Sequence, residues 1–441
     1  MIAIAGNEER RGSAVLALGF GTSVAMWLVG YLCRLPPALV PSWALLAALL
    51  VCLLVGGFFA GRLTEAGLRT GIVTGLTSSL INLLVLGSVL SGARPNEVVP
   101  SAWWWAPGSL LIGAALGGLG ALAGRAVRPP AARPRNWVGA FAAITATATL
   151  IQLLLGGVVT SEAAGLAVVD WPNSFGYNMF LYPLSRMTGG IYFEHAHRLF
   201  GTLVGLTTVV LALQLWRCER RAWVKRLGAV SVALVVVQGI LGGLRVTGTF
   251  TLSSAHEAMA PSTELAVVHG VLGPVFLAVV VALAVFTSTT WRQPRAGLPS
   301  ATTETDRGMG AVLVAALLVQ LVLGAVQRQL AHGLLAHVTF AVVVLVLAVV
   351  YGARLGGLYP GQPLLQRLGR ALLGAACVQV MLGVLALVAV TSREAGVPRP
   401  TWQVLLTTAH QATGAALLGL ATALWLWTFR LLEVEPEQAA A

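Results

Sequence analysis

Twelve apolar runs dominate this chain, at about 13–33, 42–61, 71–93, 103–127, 137–158, 190–216, 226–247, 265–288, 309–328, 334–352, 368–390 and 405–428. Each is close to the roughly 20 residues that an α-helix needs to cross a hydrocarbon core. The runs are continuous rather than alternating, so they predict helices and not a barrel. With 57% hydrophobic and only 10% charged residues, the composition excludes the ordinary soluble classes. The first run is too long, and too closely followed by further spans, to be only a cleaved signal peptide. The expected fold is an all-α integral membrane protein of about twelve transmembrane helices.

Charge placement predicts an orientation. With a cytoplasmic N-terminus, 20 of the 28 Lys and Arg residues fall on the inner side, including Arg10, Arg11, Arg62, Arg69, Arg217, Arg220, Arg221 and Lys225. This is a positive-inside asymmetry, and it accounts for the net charge of +12 without any nucleic acid partner. Trp103, Trp104 and Trp105 fit an outer interfacial belt. Both termini are expected to be cytoplasmic, in a cell inner membrane. Cys33, Cys52, Cys218 and Cys377 lie in or at the ends of spans with no metal-ligand spacing, so no thiol chemistry is expected.

Two polar, proline-containing linkers divide the runs. Arg125–Arg135 separates a four-helix N-terminal portion, residues 1–128, from an eight-helix core. Gln293–Arg307 splits that core into halves, 137–288 and 309–430. The halves read as pseudo-repeats of each other. The N-terminal portion has no histidine and has small-residue packing faces such as Gly56, Gly57 and Gly61.

A sequence unit recurs four times in the core. Gln152, Gln238, Gln320 and Gln379 are each followed by Leu at +3 and Gly at +4, late in an apolar run. Each unit is followed, after a loop, by a histidine near the start of the next run: His197, His269, His337 (or His332) and His410. The Gln-to-His spacings are 45, 31, 17 (12 for His332) and 31 residues, so the variation falls in the outer loops. Repetition of this kind places a functional site at the repeat interface. The small residues after each Gln allow something bulky, or another backbone, to come close.

A polar residue inside an apolar span is expensive and marks a functional site by default. One such histidine is as readily explained by a hydrogen bond to a neighbouring helix. Four in register are better explained as axial ligands of haem iron, two per macrocycle. This gives His197 with His269 in one half and His337 with His410 in the other. Depth in the run favours His337 over His332 for the third position. Glu194 lies one helical turn before His197 and shares its face; it is either a proton acceptor at a haem site or an acid favoured by the helix N-terminus. Arg198, Arg245 and Arg328, at the outer ends of spans, read as partners of haem propionates or as interfacial anchors. His195, His256 and Glu257 are expected in solvated positions.

Phe193-Glu194-His195-Ala196-His197-Arg198 contains Glu-x-x-His-Arg, and the loop before it holds Gly165-Leu166 and Asp170-Trp171-Pro172. With the two-half, four-histidine layout, this resembles the haem A synthases over residues 137–430. The resemblance implies oxidation of the C8 methyl of haem O to a formyl group, for use in cytochrome oxidase. It implies haem O as substrate at His197 and His269, a resident haem b at His337 and His410, and a catalytic role for Glu194 with Arg198 at the cofactor. An electron acceptor and an enzyme supplying haem O would be partners. Two features depart from the family pattern. The loop 159–189 has no cysteine pair, and the four N-terminal helices are an addition to the usual eight. The alternatives are a di-haem cytochrome b that only passes electrons and, third, a twelve-helix secondary transporter. The cytochrome gives Glu194 no task; a transporter usually shows broken helices or buried carboxylates near the midplane, and the sequence shows neither.

Overall fold

The computed structural model describes residues 2–36, 39–92, 94–128, 135–250, 255, 257, 259–293, 297–392 and 399–435, without the side chains of 2–11. Parts of both linkers, with Pro129, Pro130, Arg133, Pro134, Pro294 and Arg295, lie outside the described residues, as does His256. So do the side chains of Arg10 and Arg11. Helices α1 (Ile2–Cys33), α2 (Ser42–Leu63), α3 (Gly67–Val89), α4 (Ala102–Ala126), α5 (Trp137–Ser161) and α6 (Gly189–Cys218) are followed by α7 (Ala222–Thr247) and α8 (Thr263–Thr287). After a four-residue helix α9 (Thr289–Arg292) come α10 (Thr303–Leu330), α11 (Leu334–Gly357), α12 (Pro363–Thr391) and α13 (Thr401–Leu431). Twelve of these are long and apolar enough to span a membrane, and the chain is an all-helical multi-pass membrane protein.

Most of the helices run past the apolar runs, because polar end residues continue the backbone hydrogen bonding that hydrocarbon demands; α3 instead is shifted towards the N-terminus and ends at Val89, short of the expected 93. Their ends are set by local chemistry. Pro41 and Pro400 precede α2 and α13, and Pro363 opens α12, where a missing N–H costs nothing. The Ser262 hydroxyl caps α8 by accepting from the Leu265 N–H.

The chain forms two compact units. The first comprises residues 1–151, 165–232 and 249–259; the second comprises 152–164, 233–248 and 260–441. This partition differs from the linker-based one, because α5 and α7 each contribute to both units.

In the first unit, α2, α3 and α4 pack backbone to backbone. A methyl group on Gly57 would sit 2.2 Å from the Gly117 carbonyl oxygen, and one on Gly75 would sit 1.9 Å from that of Gly113. Only hydrogen fits there. Such contact replaces the hydrophobic drive that lipid cannot supply between helices. Helix α1 joins α3 through the Ser23 and Ser78 hydroxyls, 3.0 Å apart, and through Trp27 Nε1, which donates to Asn82 Oδ1 at 2.8 Å.

The second unit has a core of Leu313, Ala348, Tyr351, Leu355, Leu365, Leu372, Leu418 and Leu424. One end is fastened by short parallel strands, β3 (Leu298–Ser300) and β4 (Leu432–Val434); the antiparallel pair β1 (Asn173–Ser174) and β2 (Tyr177–Asn178) belongs to the first unit. Beside β3, buried Asp306 accepts from Arg354 Nε at 2.9 Å and from the Tyr359 hydroxyl. The Tyr359 phenol is shifted up from its ordinary value, chiefly by burial and then by its bond to Asp306.

Candidate functional site

The repeated Gln and Gly acquire a physical role in the second unit. Gln238 Nε2 donates to the His269 carbonyl at 2.9 Å, and His269 Nδ1 lies 3.2 Å from the Gln238 carbonyl oxygen. A carbonyl only accepts, so the imidazole proton sits on Nδ1 and Nε2 keeps its lone pair for a metal. Gln320 repeats the first of these bonds, its Nε2 donating to the His337 carbonyl at 3.0 Å, but here the same Nε2, a donor, lies 3.1 Å from His337 Nδ1. The glycines set the ring pose. A methyl placed on Gly242 would lie 3.0, 3.5 and 3.8 Å from Cε1, Nδ1 and Nε2 of His269. The matching distances are 3.0, 3.4 and 3.9 Å for Gly324 against His337, and 3.1, 3.5 and 3.9 Å for Gly383 against His410. Three hairpins therefore hold three imidazoles in one pose, each ring edge lying in a slot that a Cβ would fill.

His337 and His410 face each other, with ring centroids 6.3 Å apart and planes at 89°. An iron midway between two axial imidazoles, each bonded at about 2 Å, places the centroids about 6 Å apart. His332 takes no part: it is exposed, with Nδ1 2.5 Å from the Leu330 carbonyl oxygen. Around the pair, Gln320 Oε1, Gln379 Oε1, Gln411 Oε1, Gln327 Oε1 and Arg328 Nε are buried without a hydrogen-bond partner. Each such atom costs about 1–3 kcal/mol if left so, and native structures hold few of them. A planar, metal-bearing ligand at this position accounts for the facing rings and the glycine slots together, and its carboxylates would accept from Arg328 Nε, though not satisfy the glutamine oxygens. Gly383→Leu should push the His410 ring out of its slot and weaken haem retention at least about tenfold, measured as haem lost per protein on detergent washing.

Arg328 Nη2 donates to the Ser161 hydroxyl at 2.8 Å, and Thr408 Oγ1 bonds the same hydroxyl at 3.0 Å. Thr408 lies two residues before His410. Arg399, which the sequence did not single out, donates through Nη1 to the Thr160 and Ser161 carbonyls. Its charge also acts on Glu162, whose carboxyl burial nonetheless shifts upward. The only signal for Arg399 in the sequence is a charge just before α13.

In the first unit, the segment between α5 and α6 is folded onto α6. Asp170, almost wholly buried, accepts from the Phe175 N–H at 2.6 Å and the Gly176 N–H at 2.8 Å. Those two residues form the β1–β2 turn with φ of 53° and 78°, a pair of positive values that suits the twist of a hairpin. Arg198 closes the segment from beneath. Its Nη1 donates to the Asp170 carbonyl at 2.6 Å and the Asn173 carbonyl at 3.2 Å; its Nη2 donates to the Val168 carbonyl at 2.8 Å and Glu194 Oε1 at 2.8 Å. Glu194 is 4% exposed, and its Oε2 accepts from the Val168 N–H at 2.9 Å. Each Glu194 oxygen thus holds one hydrogen bond and keeps further acceptor capacity.

Arg198 therefore spends both terminal nitrogens on the loop and on Glu194. His195, expected in a solvated position, is fully buried. Its Nδ1 lies 3.0 Å from the Ser174 hydroxyl and its ring 5.1 Å from that of Tyr182. The hairpin covers it, which no local pattern in the sequence signalled. Glu257 is exposed. His197 is half-buried on α6. It belongs to the first unit, whereas Gln152 and His269 belong to the second.

The facing imidazole pair thus lies in a multi-pass helical membrane protein, at a spacing that a bis-imidazole iron would fit. Residues 176–338 carry a domain of the haem A synthase family, matching the COX15-CtaA description, cytochrome oxidase assembly protein. That range includes Glu194, His197, His269 and His337 and ends before His410. A relative described as heme A synthase, from Shouchella clausii (strain KSM-K16), is 30% identical over 101 residues, 22% of this chain and 32% of that protein. The chain thus spans about a third of the length of the curated relative it matches.

Proposed function

We propose that this protein oxidises the C8 methyl of haem O to a formyl group, with haem O as substrate at His197 and His269 and a resident haem b at His337 and His410. The observation that carries this reading is an asymmetry. The His337–His410 pair has a spacing that suits two imidazoles on one iron, with no carboxylate one helical turn before either histidine. On α6, by contrast, a buried carboxylate lies one helical turn before a repeat histidine. His197 and His269 rest on the sequence repeat and the family likeness.

Haem b supplies one-electron transfer when bound, and the chain's own residues do the remainder. Gln320 orients His337, while Gly324 and Gly383 admit the two rings. Arg328, near the His410 end of the second unit, offers a cation to a haem carboxylate. Glu194 takes a proton at Oε1 or Oε2 as the methyl carbon is oxidised. The Val168 N–H and Arg198 hold that carboxylate still, and Arg198 acts on the cofactor through it. General-base help of this kind contributes about 10²–10⁴-fold. Two successive two-electron oxidations, each adding one oxygen from water and releasing two protons, reach the geminal diol, which loses water to leave the aldehyde; the electrons pass to an acceptor in or at the membrane. The positive-inside charge distribution supports cytoplasmic termini and sites towards the outer face.

Pigment extraction after co-expression with a source of haem O tests the proposal. Haem A in the extract supports it. Unchanged haem O beside a bound haem leaves a di-haem cytochrome b that only carries electrons, and a purified protein without Soret absorbance removes both readings.

A further inference from the structure

The four helices α1–α4 have no histidine and, among the described residues, no buried carboxylate, yet they touch the Glu194 region from two sides. On the helix side, Tyr31 at the end of α1 stacks on Tyr192 at 5.5 Å, and the Tyr192 hydroxyl donates to the Tyr31 carbonyl at 2.6 Å. Trp27 meets Phe200 edge-on at 6.2 Å. Tyr192 and Phe200 bracket Glu194 and Arg198 on α6.

On the loop side, the contact is backbone against backbone. A methyl on Gly87 of α3 would lie 2.5 Å from the Phe180 carbonyl oxygen, and the neighbouring Ser88 hydroxyl donates to that same oxygen at 3.2 Å. Phe180 sits in a 3-10 turn, Met179–Leu181, capped by Asn178 Oδ1. The Asn178 N–H in turn donates to Asn96 Oδ1 at 2.7 Å. Asn96 stands in the loop between α3 and α4 at φ 63°, a conformation that Asn tolerates better than most residues. Asn178 pairs with Asn173 across the β1–β2 hairpin, and the Asn173 carbonyl receives Arg198. The contacts are continuous from Gly87 and Asn96 to Glu194.

We infer that α1–α4 are a brace that positions Glu194, by clamping α6 at Tyr192 and Phe200 and the overlying hairpin segment at Asn178 and Phe180. Gly87, Ser88, Asn96 and Tyr31 are positioning residues; none of them touches the carboxylate. This rests on the proposed reaction only for its catalytic consequence. The clamp itself is read from contacts within one unit.

The test uses the full chain in lipid nanodiscs. Gly87→Leu forces Phe180 away from α3, and the double variant Ser88→Ala, Asn96→Ala removes the polar contacts with less risk to folding. Both should speed amide exchange at Val168, Phe175 and Gly176, the double variant by about tenfold or more, with haem content unchanged. With haem O supplied, the hydroxymethyl product should accumulate at the expense of the aldehyde. Restoring an acceptor with Asn96→Asp beside Ser88→Ala should recover part of the protection, and Trp103→Ala, on the exposed face of α4, should change neither readout. Unchanged Val168 exchange in both brace variants overturns the inference. Faster exchange with an unaltered product ratio overturns the positioning role. If the unsubstituted protein oxidises no haem O but exchange still rises in the variants, the clamp stands and the proposed reaction fails.

Discussion

His410→Ala should strip the proposed resident haem, lowering haem per protein by about one equivalent and removing the low-spin signature of a bis-imidazole iron. The size of the effect follows from how the pair is built. His337 faces His410 at 6.3 Å between centroids, and among the described residues no third imidazole is placed against either ring. An iron left on His337 alone would be five-coordinate or would recruit water, and haem affinity should fall steeply. The glycine slot at Gly383 would then lie empty, so free imidazole has room to enter. Added imidazole should therefore restore the low-spin spectrum in His410→Ala, and far less so in Gly383→Leu, where the slot is filled. Wild-type haem content and spectrum in His410→Ala would remove the assignment of the second haem site.

Glu194→Gln should leave haem content near that of the unsubstituted protein while slowing aldehyde formation by about 100-fold or more. Haem content should hold because His337 is seated by Gln320 and Gly324 and His410 by Gly383, none of which touches Glu194. Chemistry should fail for two reasons that can be separated. The amide cannot take a proton. It also presents an NH₂ to one of two donors that now face oxygens, the Val168 N–H or Arg198 Nη2, which costs about 1–3 kcal/mol and slackens the loop. Amide exchange at Val168 measures that slackening directly. Glu194→Asp retains a carboxylate but shortens its reach, so it should recover part of the rate. Normal haem A production by Glu194→Gln would end the catalytic role.

Much of this was legible in the sequence. Twelve spans follow from run length alone, because a bilayer forces each apolar run to satisfy its backbone internally. The structure lengthens most of them and shifts α3, without adding or removing one. The Gln-x-x-Leu-Gly repeat announced a site because four polar residues recurred at one depth in apolar runs. Its meaning was hidden, since a Gln that binds the backbone of the next helix looks the same in sequence as one that packs. Glu194 was legible from its spacing to His197. The burial of His195 was not, because its cover is a hairpin whose turn begins 20 residues earlier, and hairpin burial leaves no period in the sequence.

What the sequence determined by itself was the set of properties fixed residue by residue against the solvent: helix count, span positions, the repeat, and the residue types able to hold iron or move a proton. The tertiary structure decided which groups meet. It set His337 rather than His332 opposite His410, turned Arg198 onto the carbonyls of residues 168–173, and carried Gly87 to within reach of Phe180. Those choices depend on the rotation of each helix about its axis and on loops joining segments up to 93 positions apart, such as Gly87 and Phe180. Hydropathy, which sees only depth, carries no information about either.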